Sequence, residues 1–165
     1  TVTIESEFGR GTTVTIKLPL TLAIVVGLLT GVGDDRYVVQ LSEVRECVEL
    51  TSEQRDFEEA GRHLVSVRGE LVPYVRLRDL FDLSEREMEI EQVVIVMVGE
   101  HPLGVVVDDV IGNVQTVIKP LGKMFSQADY LSGATILGDG TVALILDLPH
   151  IMAYAHAADG RAQVA

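Results

Sequence analysis

The sequence contains few of the residues that redox, metal or nucleic-acid chemistry requires. Cys47 is the one cysteine among 165 residues, so a single chain can form neither a disulfide framework nor a multi-cysteine metal site, and a reducing compartment is indicated. Lysine and arginine number 13 against 25 aspartates and glutamates, and the formal charge of −12 disfavours nucleic acid and anionic membranes as partners. Tryptophan is absent and aromatics make up 5%, so the core must be aliphatic, which favours strands.

Residue patterns that would indicate an enzyme are also missing. No histidine stands at a metal-binding spacing from another ligand, and all four are expected at the surface or at strand ends: His63, His101, His150 and His156. Cys47 has acidic neighbours that discourage a thiolate, and it is expected to be a small core residue. Asp108 and Asp109 are adjacent on a predicted strand, so they point to opposite faces, and a solvated pair is favoured over an acid–base dyad.

Two segments partly match known patterns, one of a phosphate-binding loop and one of a membrane-spanning helix. Gly9-Arg10-Gly11-Thr12 suggests a phosphate loop, but such a loop carries Gly-Lys-Ser/Thr and precedes a helix, whereas a strand follows here, so a hairpin turn is predicted. The apolar stretch from Leu18 to Val32 is shorter than the ~20 residues of a spanning helix and contains Pro19, so a buried strand is predicted and no direct membrane insertion. The chain begins without a methionine or a signal segment, and we expect a piece of a longer protein.

Alternation of apolar and polar residues predicts strands along most of the chain. The predicted strands are 1–5, 13–18, 22–32, 36–40, 44–50, 63–67, 71–75, 92–98, 103–110, 114–119, 133–137 and 141–147. Residues 78–81 are predicted as a single helical turn, and 148–158 as a C-terminal helix followed by a frayed tail. The polar segments 51–61, 84–91 and 121–131 are predicted as a turn, a linker and a loop.

The two halves of the chain share one order of elements: a hairpin, a bent strand, a loop and a second hairpin with a glycine turn. The glycine turns at 68–70 and 138–140 lie about 70 residues apart, the size of one small barrel. The predicted fold class is therefore all-β, with two small barrels packed together and a short C-terminal helix; one large sandwich is the alternative. An apolar barrel end rimmed by Arg68 and Glu70 fits either a protein-docking surface or ordinary barrel closure.

Several motifs, in order, resemble a known family. They are Gly-Arg-Gly-Thr leading into Leu-Pro-Leu-Thr-Leu-Ala-Ile within 9–24, the early hairpin 33–39, Arg-Gly-Glu-Leu-Val-Pro at 68–73 with 75–77, and the segments 117–122 and 132–140. Together they resemble the CheW-like regulatory domain of the chemotaxis histidine kinase family CheA, with the junction that follows its ATP-binding domain. The resemblance covers nearly the whole chain.

The resemblance implies two SH3-like five-stranded barrels and a non-catalytic coupling role in two-component signal transduction. The implied partners are the adaptor CheW, the cytoplasmic tips of chemoreceptors and the rest of the kinase, in the cytoplasm beside membrane receptor arrays. The first barrel would dock end-on against a barrel of CheW. The positions that match the partner- and receptor-binding surfaces are Val44, Arg45, Glu46, Arg68, Gly69 and Glu70.

The resemblance also implies a division of the chain. Residues 1–17 match the last hairpin of the ATP-binding domain, 18–158 the CheW-like domain with two barrel subdomains, and 159–165 a frayed tail. Thr12 matches the last Gly-Thr element of the ATP site, but this isolated piece cannot hold ATP. No catalysis, cofactor or metal is therefore expected here, whereas the parent histidine kinase would use ATP and Mg. Two alternatives are a free-standing CheW adaptor, which the lead at 9–24 disfavours, and an enzyme fragment that still binds nucleotide.

Overall fold

The structure is a computed structural model that describes residues 2–17, 24–51, 63–84, 88, 90–121 and 129–162. The strands in these ranges are β1 (Val2–Glu7), β2 (Gly11–Ile16), β3 (Ile24–Val32), β4 (Asp35–Gln40), β5 (Val44–Thr51), β6 (Leu64–Val67), β7 (Glu70–Arg76), β8 (Ile90–Val98), β9 (His101–Val107), β10 (Asp109–Val117), β11 (Leu131–Ile136) and β12 (Val142–Leu146). The helices are α1 (Leu77–Leu80) and α2 (Leu148–Ala162), and a 3-10 turn (Leu41–Glu43) joins β4 to β5.

The strands in the described ranges form two five-stranded sheets and a separate ribbon. Sheet 1 has the order β10-β3-β4-β12-β11, sheet 2 has the order β5-β8-β9-β7-β6, and β1 pairs with β2. Sheet 1 closes on itself, because Lys119, just after β10, and Ala134 on β11 exchange two backbone hydrogen bonds of 2.9 and 3.0 Å. The prediction of an all-β fold with two curled five-stranded sheets and a C-terminal helix is confirmed.

The internal repeat is present in the structure, but its two halves exchange strands. Sheet 1 combines the hairpin β3–β4 of the first half with the bent strand β10 and the hairpin β11–β12 of the second half. Sheet 2 does the reverse, combining β8–β9 with β5 and with β6–β7. In each sheet the two contributions meet in a parallel pair, β4 with β12 and β9 with β7. The spacing of the glycine turns suggests that each barrel is one consecutive half of the chain. The structure shows instead that each barrel takes strands from both halves.

Both faces of the central strands are buried, which explains the long runs of valine and isoleucine. On β8, Val93 and Ile95 point into the sheet 2 barrel, whereas Val94 and Val96 belong to a cluster between the two sheets. That central cluster also takes residues from β4, β9 and α2, and it is larger than the clusters found inside either barrel in the described ranges. Apolar residues on both faces are typical of strands that are covered on both sides. The two barrels consequently share one core.

Two predicted boundaries are wrong in the middle of the chain. The strand predicted over 103–110 ends at Val107, because the chain leaves sheet 2 at Asp108 and continues as β10 in sheet 1. The linker predicted over 84–91 ends earlier, because β8 already includes Glu91. The charge of Glu91 led to its assignment to an exposed linker. In the structure its side chain is buried, with a carboxylate oxygen 3.3 Å from the guanidinium of Arg76.

The C-terminal helix is longer than predicted, since α2 continues to Ala162 instead of ending at 158. No helix in the described part of the chain has both the length and the apolar composition needed to cross a membrane. The domain boundary expected near 18–21 and most of the predicted polar turn and loop, 52–61 and 122–128, lie outside the described residues.

Candidate protein-binding site

The structure brings together the six positions that the resemblance assigns to partner binding, at one end of the sheet 2 barrel. They lie at the start of β5 and around the turn from β6 to β7: Val44, Arg45, Glu46, Arg68, Gly69 and Glu70. Two ion pairs join these segments, because Arg68 Nη2 lies 3.1 Å from Glu46 Oε2 and Arg45 Nη1 lies 3.5 Å from Glu70 Oε2. These four charged residues are called the ion-pair cluster below. Since β5 and β6 are the two edges of sheet 2, the cluster spans the opening between those edges.

A β-bulge places Arg45 within reach of the turn. Val44 pairs with Val96 and Glu46 pairs with Ile95, so Arg45 is the extra residue of the strand. A bulge bends its strand and redirects the side chains around it. As a result the carboxylate of Glu46, which is 20% exposed, lies between two guanidinium groups, with Arg45 Nε 3.8 Å from its Oε1.

The turn that carries Arg68 has a backbone conformation that depends on glycine. Val67 pairs with Glu70, so the hairpin loop consists of Arg68 and Gly69. Both have a positive φ, 52° and 86°, as a tight type I′ turn requires. No heavy atom lies within 4 Å of the position that a Cβ on Gly69 would take, so the backbone angle and not the available space selects glycine.

The charges of the cluster are accessible to a partner. The side chain of Arg68 is 78% exposed, that of Glu70 is 53% exposed and that of Arg45 is 44% exposed. Exposed ion pairs contribute about 0–1 kcal/mol to folding, so the cluster adds little to the stability of the barrel. Charges at an interface instead select partners and set the orientation of docking. The geometry therefore suits recognition of a protein surface with complementary charges.

An exposed apolar residue follows the ion-pair cluster in the sequence, and the sequence prediction did not include it. Leu71 follows Glu70 on β7 and is 64% exposed, because the alternation of this strand buries Val72 and turns Leu71 outward. That alternation is visible in the sequence and could have identified it. Val44, by contrast, is half-buried and packs against the central cluster. Leu71 is therefore an exposed apolar residue that follows the cluster in sequence, on the opposite face of β7 from Glu70.

Sheet 1 carries a more apolar outer wall than sheet 2. Ile136 and Val142 form a cross-strand pair in which the residues are 54% and 57% exposed. The corresponding pair of sheet 2, again next to a buried pair, is Ser66 with Leu71. Ile24 on β3 adds another side chain that is 60% exposed. The two barrels thus share a topology but present different surfaces.

Cys47 is exposed on the outer face of β5, so the expectation of a core residue is wrong. Its neighbours Glu46 and Val48 are less exposed than Cys47, and the alternation of the edge strand leaves the thiol outside. Partial burial nevertheless raises the pKa of the thiol.

All four histidines are exposed, as expected. The described ranges contain no group of three or more histidine, cysteine, aspartate or glutamate side chains that could hold a metal ion.

Asp108 and Asp109 lie where the chain passes from sheet 2 to sheet 1. The prediction of a solvated pair is wrong for Asp108. Its side chain is 10% exposed, and Arg78 Nε donates to its Oδ1 at 2.9 Å. The hydrogen bond to Asp108 raises the pKa of Arg78. Asp108 is thus neutralised by an arginine, which is a structural arrangement and not that of an acid–base dyad.

The chain is similar to proteins of a known family. A family model described as CheW-like domain matches residues 26–156. The sensor histidine kinase CheAY of Helicobacter pylori is 37% identical over 153 residues, and the chemotaxis protein CheA of Treponema pallidum is 39% identical over 155 residues. Each alignment covers 92% of this chain but 19% of the relative, so the chain spans about a fifth of the length of these proteins.

A solved structure has the same fold. The scaffolding protein TtCheW from Thermoanaerobacter tengcongensis matches with a TM-score of 0.64 at 18% identity. The match covers 74% of this chain and 88% of that protein. At this level of identity the likeness concerns the fold alone.

Proposed function

Because this chain belongs to the CheW-like domain family, we propose that it is the regulatory and coupling domain of a chemotaxis histidine kinase, without catalytic activity of its own. In this role it binds the adaptor CheW and the cytoplasmic tips of chemoreceptors, beside membrane receptor arrays in the cytoplasm, and passes receptor state to the rest of the kinase. The observation that carries the proposal is the alignment with CheA proteins over 92% of this chain and 19% of theirs.

The ion-pair cluster, with Gly69 and Val44, is the surface that we assign to partner binding. Its exposed charges, its tight two-residue turn and the exposed Leu71 that follows it in sequence support this assignment. Apolar contact that excludes water, together with charges that set orientation, is the usual composition of a protein interface. Coupling to the kinase requires that the contacts differ between the kinase-on and kinase-off states.

A free-standing CheW adaptor is the alternative, and two observations favour the kinase domain over it. The alignments with CheA cover 92% of the chain, which is more than residues 26–156, so they include flanking residues. Residues 2–16 form the ribbon of β1 and β2, which pairs with neither five-stranded sheet. Both observations support assigning 1–17 to the end of a preceding ATP-binding domain and the residues from 18 onward to the CheW-like domain.

Arg68→Ala tests the assigned surface. We expect this change to weaken binding to a cognate CheW or to a receptor tip by about 2 kcal/mol or more, which is roughly 30-fold, and to change fold stability by less than about 0.5 kcal/mol. Arg10→Ala is the matched control, because Arg10 is 79% exposed and forms a comparable ion pair with Glu7 in the ribbon. Unchanged affinity of Arg68→Ala for both partners, with an unchanged melting curve, would remove Arg68 from the site.

Calorimetry with ATP and Mg separates the proposal from a nucleotide-binding fragment. We propose that the chain needs no cofactor and that ATP belongs to the parent kinase, so titration should give no saturable heat. Saturable binding at micromolar strength, about −8 kcal/mol, would favour the nucleotide-binding alternative.

A further inference from the structure

The junction between the two sheets contains a buried ion pair that lies outside the assigned partner surface. We propose that Arg78 and Asp108 form a lock that fixes the orientation of one barrel relative to the other. The lock concerns the fold itself, so its test does not depend on which partner the chain binds.

Asp108 stands where the chain passes from β9 of sheet 2 to β10 of sheet 1. Its backbone N–H donates to the carbonyl of Gly31 at 3.0 Å, and its Oδ2 accepts a hydrogen bond from the backbone N–H of Gly33 at 2.7 Å. Gly31 lies on β3, and Gly33 lies in the turn between β3 and β4. Both bonds therefore attach Asp108 to sheet 1.

Arg78 attaches the same carboxylate to the other sheet. It lies on α1, directly after β7 of sheet 2. Its Nε donates to Asp108 Oδ1 at 2.9 Å and its Nη2 donates to Oδ2, while Nη1 donates to the carbonyl of Ser84. The two side chains are 11% and 10% exposed. One buried carboxylate thus accepts hydrogen bonds from groups of both sheets.

The central apolar cluster does not by itself fix one orientation of the two barrels. Apolar burial holds the two sheets together, but it is non-directional. A bidentate pair between arginine and carboxylate is both stronger and geometrically specific. A buried pair adds little net stability compared with apolar packing, yet removing one partner leaves a buried charge. The pair is therefore suited to defining an orientation that the core has already made possible.

Asp108→Asn tests the lock, because asparagine keeps the shape and the acceptor for Gly33 but removes the charge that faces Arg78. The matched control is Asp109→Asn, the same change on the next, exposed residue.

Two spin labels report the orientation, one on the exposed native Cys47 of sheet 2 and one on Asn113→Cys, an exposed position of sheet 1. We expect the distance distribution between the labels to broaden in Asp108→Asn and not in the control. Amide exchange at Gly33 should also rise by about tenfold or more, because the retained acceptor is no longer held in place by Arg78 and the junction opens more often.

An unchanged distribution and unchanged exchange at Gly33 in folded Asp108→Asn would overturn the proposal, and so would equal broadening in Asp109→Asn. If Asp108→Asn does not fold, Arg78→Lys decides, because lysine keeps the positive charge but cannot form two parallel bonds to a carboxylate. We expect that variant to fold and to broaden the distribution. A folded Arg78→Lys protein with the distribution of the unchanged sequence would equally overturn the lock.

Discussion

Among single residues, Gly69 gives the sharpest test of the turn geometry. Its φ of +86° is disfavoured for a residue with a Cβ, so Gly69→Ala should destabilise the fold by about 1–2 kcal/mol. Gly138→Ala is the matched control in the turn of the other hairpin, since Gly138 has the same open space but no positive φ. The control should be neutral or stabilising by up to about 1 kcal/mol. Urea denaturation measures both, and equal effects would contradict the role of the backbone angle.

His150 makes the first turn of α2 sensitive to pH. Its Nδ1 lies 2.8 Å from Asp147 Oδ1, which also accepts its backbone N–H at 3.2 Å. The hydrogen bond and the charge of Asp147 raise the pKa of His150 above its usual 6.5, although burial opposes this. The protonated ring is therefore favoured in the folded protein. Its stabilisation is complete below the unfolded pKa and is lost as the pH rises through the raised, folded pKa.

Melting curves of His150→Gln at about pH 5.5 and about pH 8.5 test this linkage. We expect the variant to melt below the unchanged protein at the lower pH, and the two to converge at the higher pH. His156→Gln serves as the control, because His156 is exposed on the same helix. A difference for His150→Gln that stays the same at both pH values would show that the ring acts without its charge.

Among the elements, the ribbon of β1 and β2 stands apart from the barrels. Every residue of both strands is exposed, and one face carries four apolar side chains: Val2, Ile4, Val14 and Ile16. A chain that begins at Leu18 should therefore keep its melting temperature. It should also become more monomeric, because an apolar face and open strand edges can pair with another copy.

Light scattering and thermal unfolding of that shortened chain measure the two expectations. Ile4→Thr with Val14→Thr in the full chain is the matched comparison, since it keeps the ribbon's length and reduces the apolar surface. It should lower self-association in the same direction. A large fall in the melting temperature of the shortened chain would show that the ribbon contributes to the core.

Strand positions could be predicted from the sequence because alternation is a local property, whereas strand partners could not. Asp108 and Asp109 interrupt a valine-rich run, and nothing in that run indicates that the chain changes sheets there. The exchange of hairpins between the halves is likewise invisible to periodicity. Cys47 was misplaced for a related reason, since alternation does not say which face of an edge strand is covered.

The candidate site was predicted through the resemblance and not through spacing. Arg45 and Glu70 are 25 positions apart in the sequence, and they meet only because the edges of sheet 2 curl toward each other. Leu71 could have been added from its alternation with Val72. The exposed pair of Ile136 and Val142 required knowledge of which strand faces are covered.

For the whole molecule, the shared core predicts that both barrels unfold together. Leu103 is fully buried in the central cluster, between residues of sheet 1, sheet 2 and α2. Leu103→Ala should cost about 2–5 kcal/mol, the usual range for a buried leucine that leaves a cavity. Leu71→Ala is the matched control, because Leu71 is 64% exposed and its truncation should cost less than about 0.5 kcal/mol.

Native-state hydrogen exchange distinguishes one cooperative unit from two, with the amides of Val38 in sheet 1 and Ile95 in sheet 2 as reporters. Both residues belong to the clusters inside their own barrels, and neither is part of the central cluster that contains Leu103. If the core is shared, Leu103→Ala lowers the opening free energy of both amides by the same amount, because each barrel loses the surface that covers it. Loss of protection at Ile95 with full protection at Val38 would instead show two independently stable barrels joined by a weak interface.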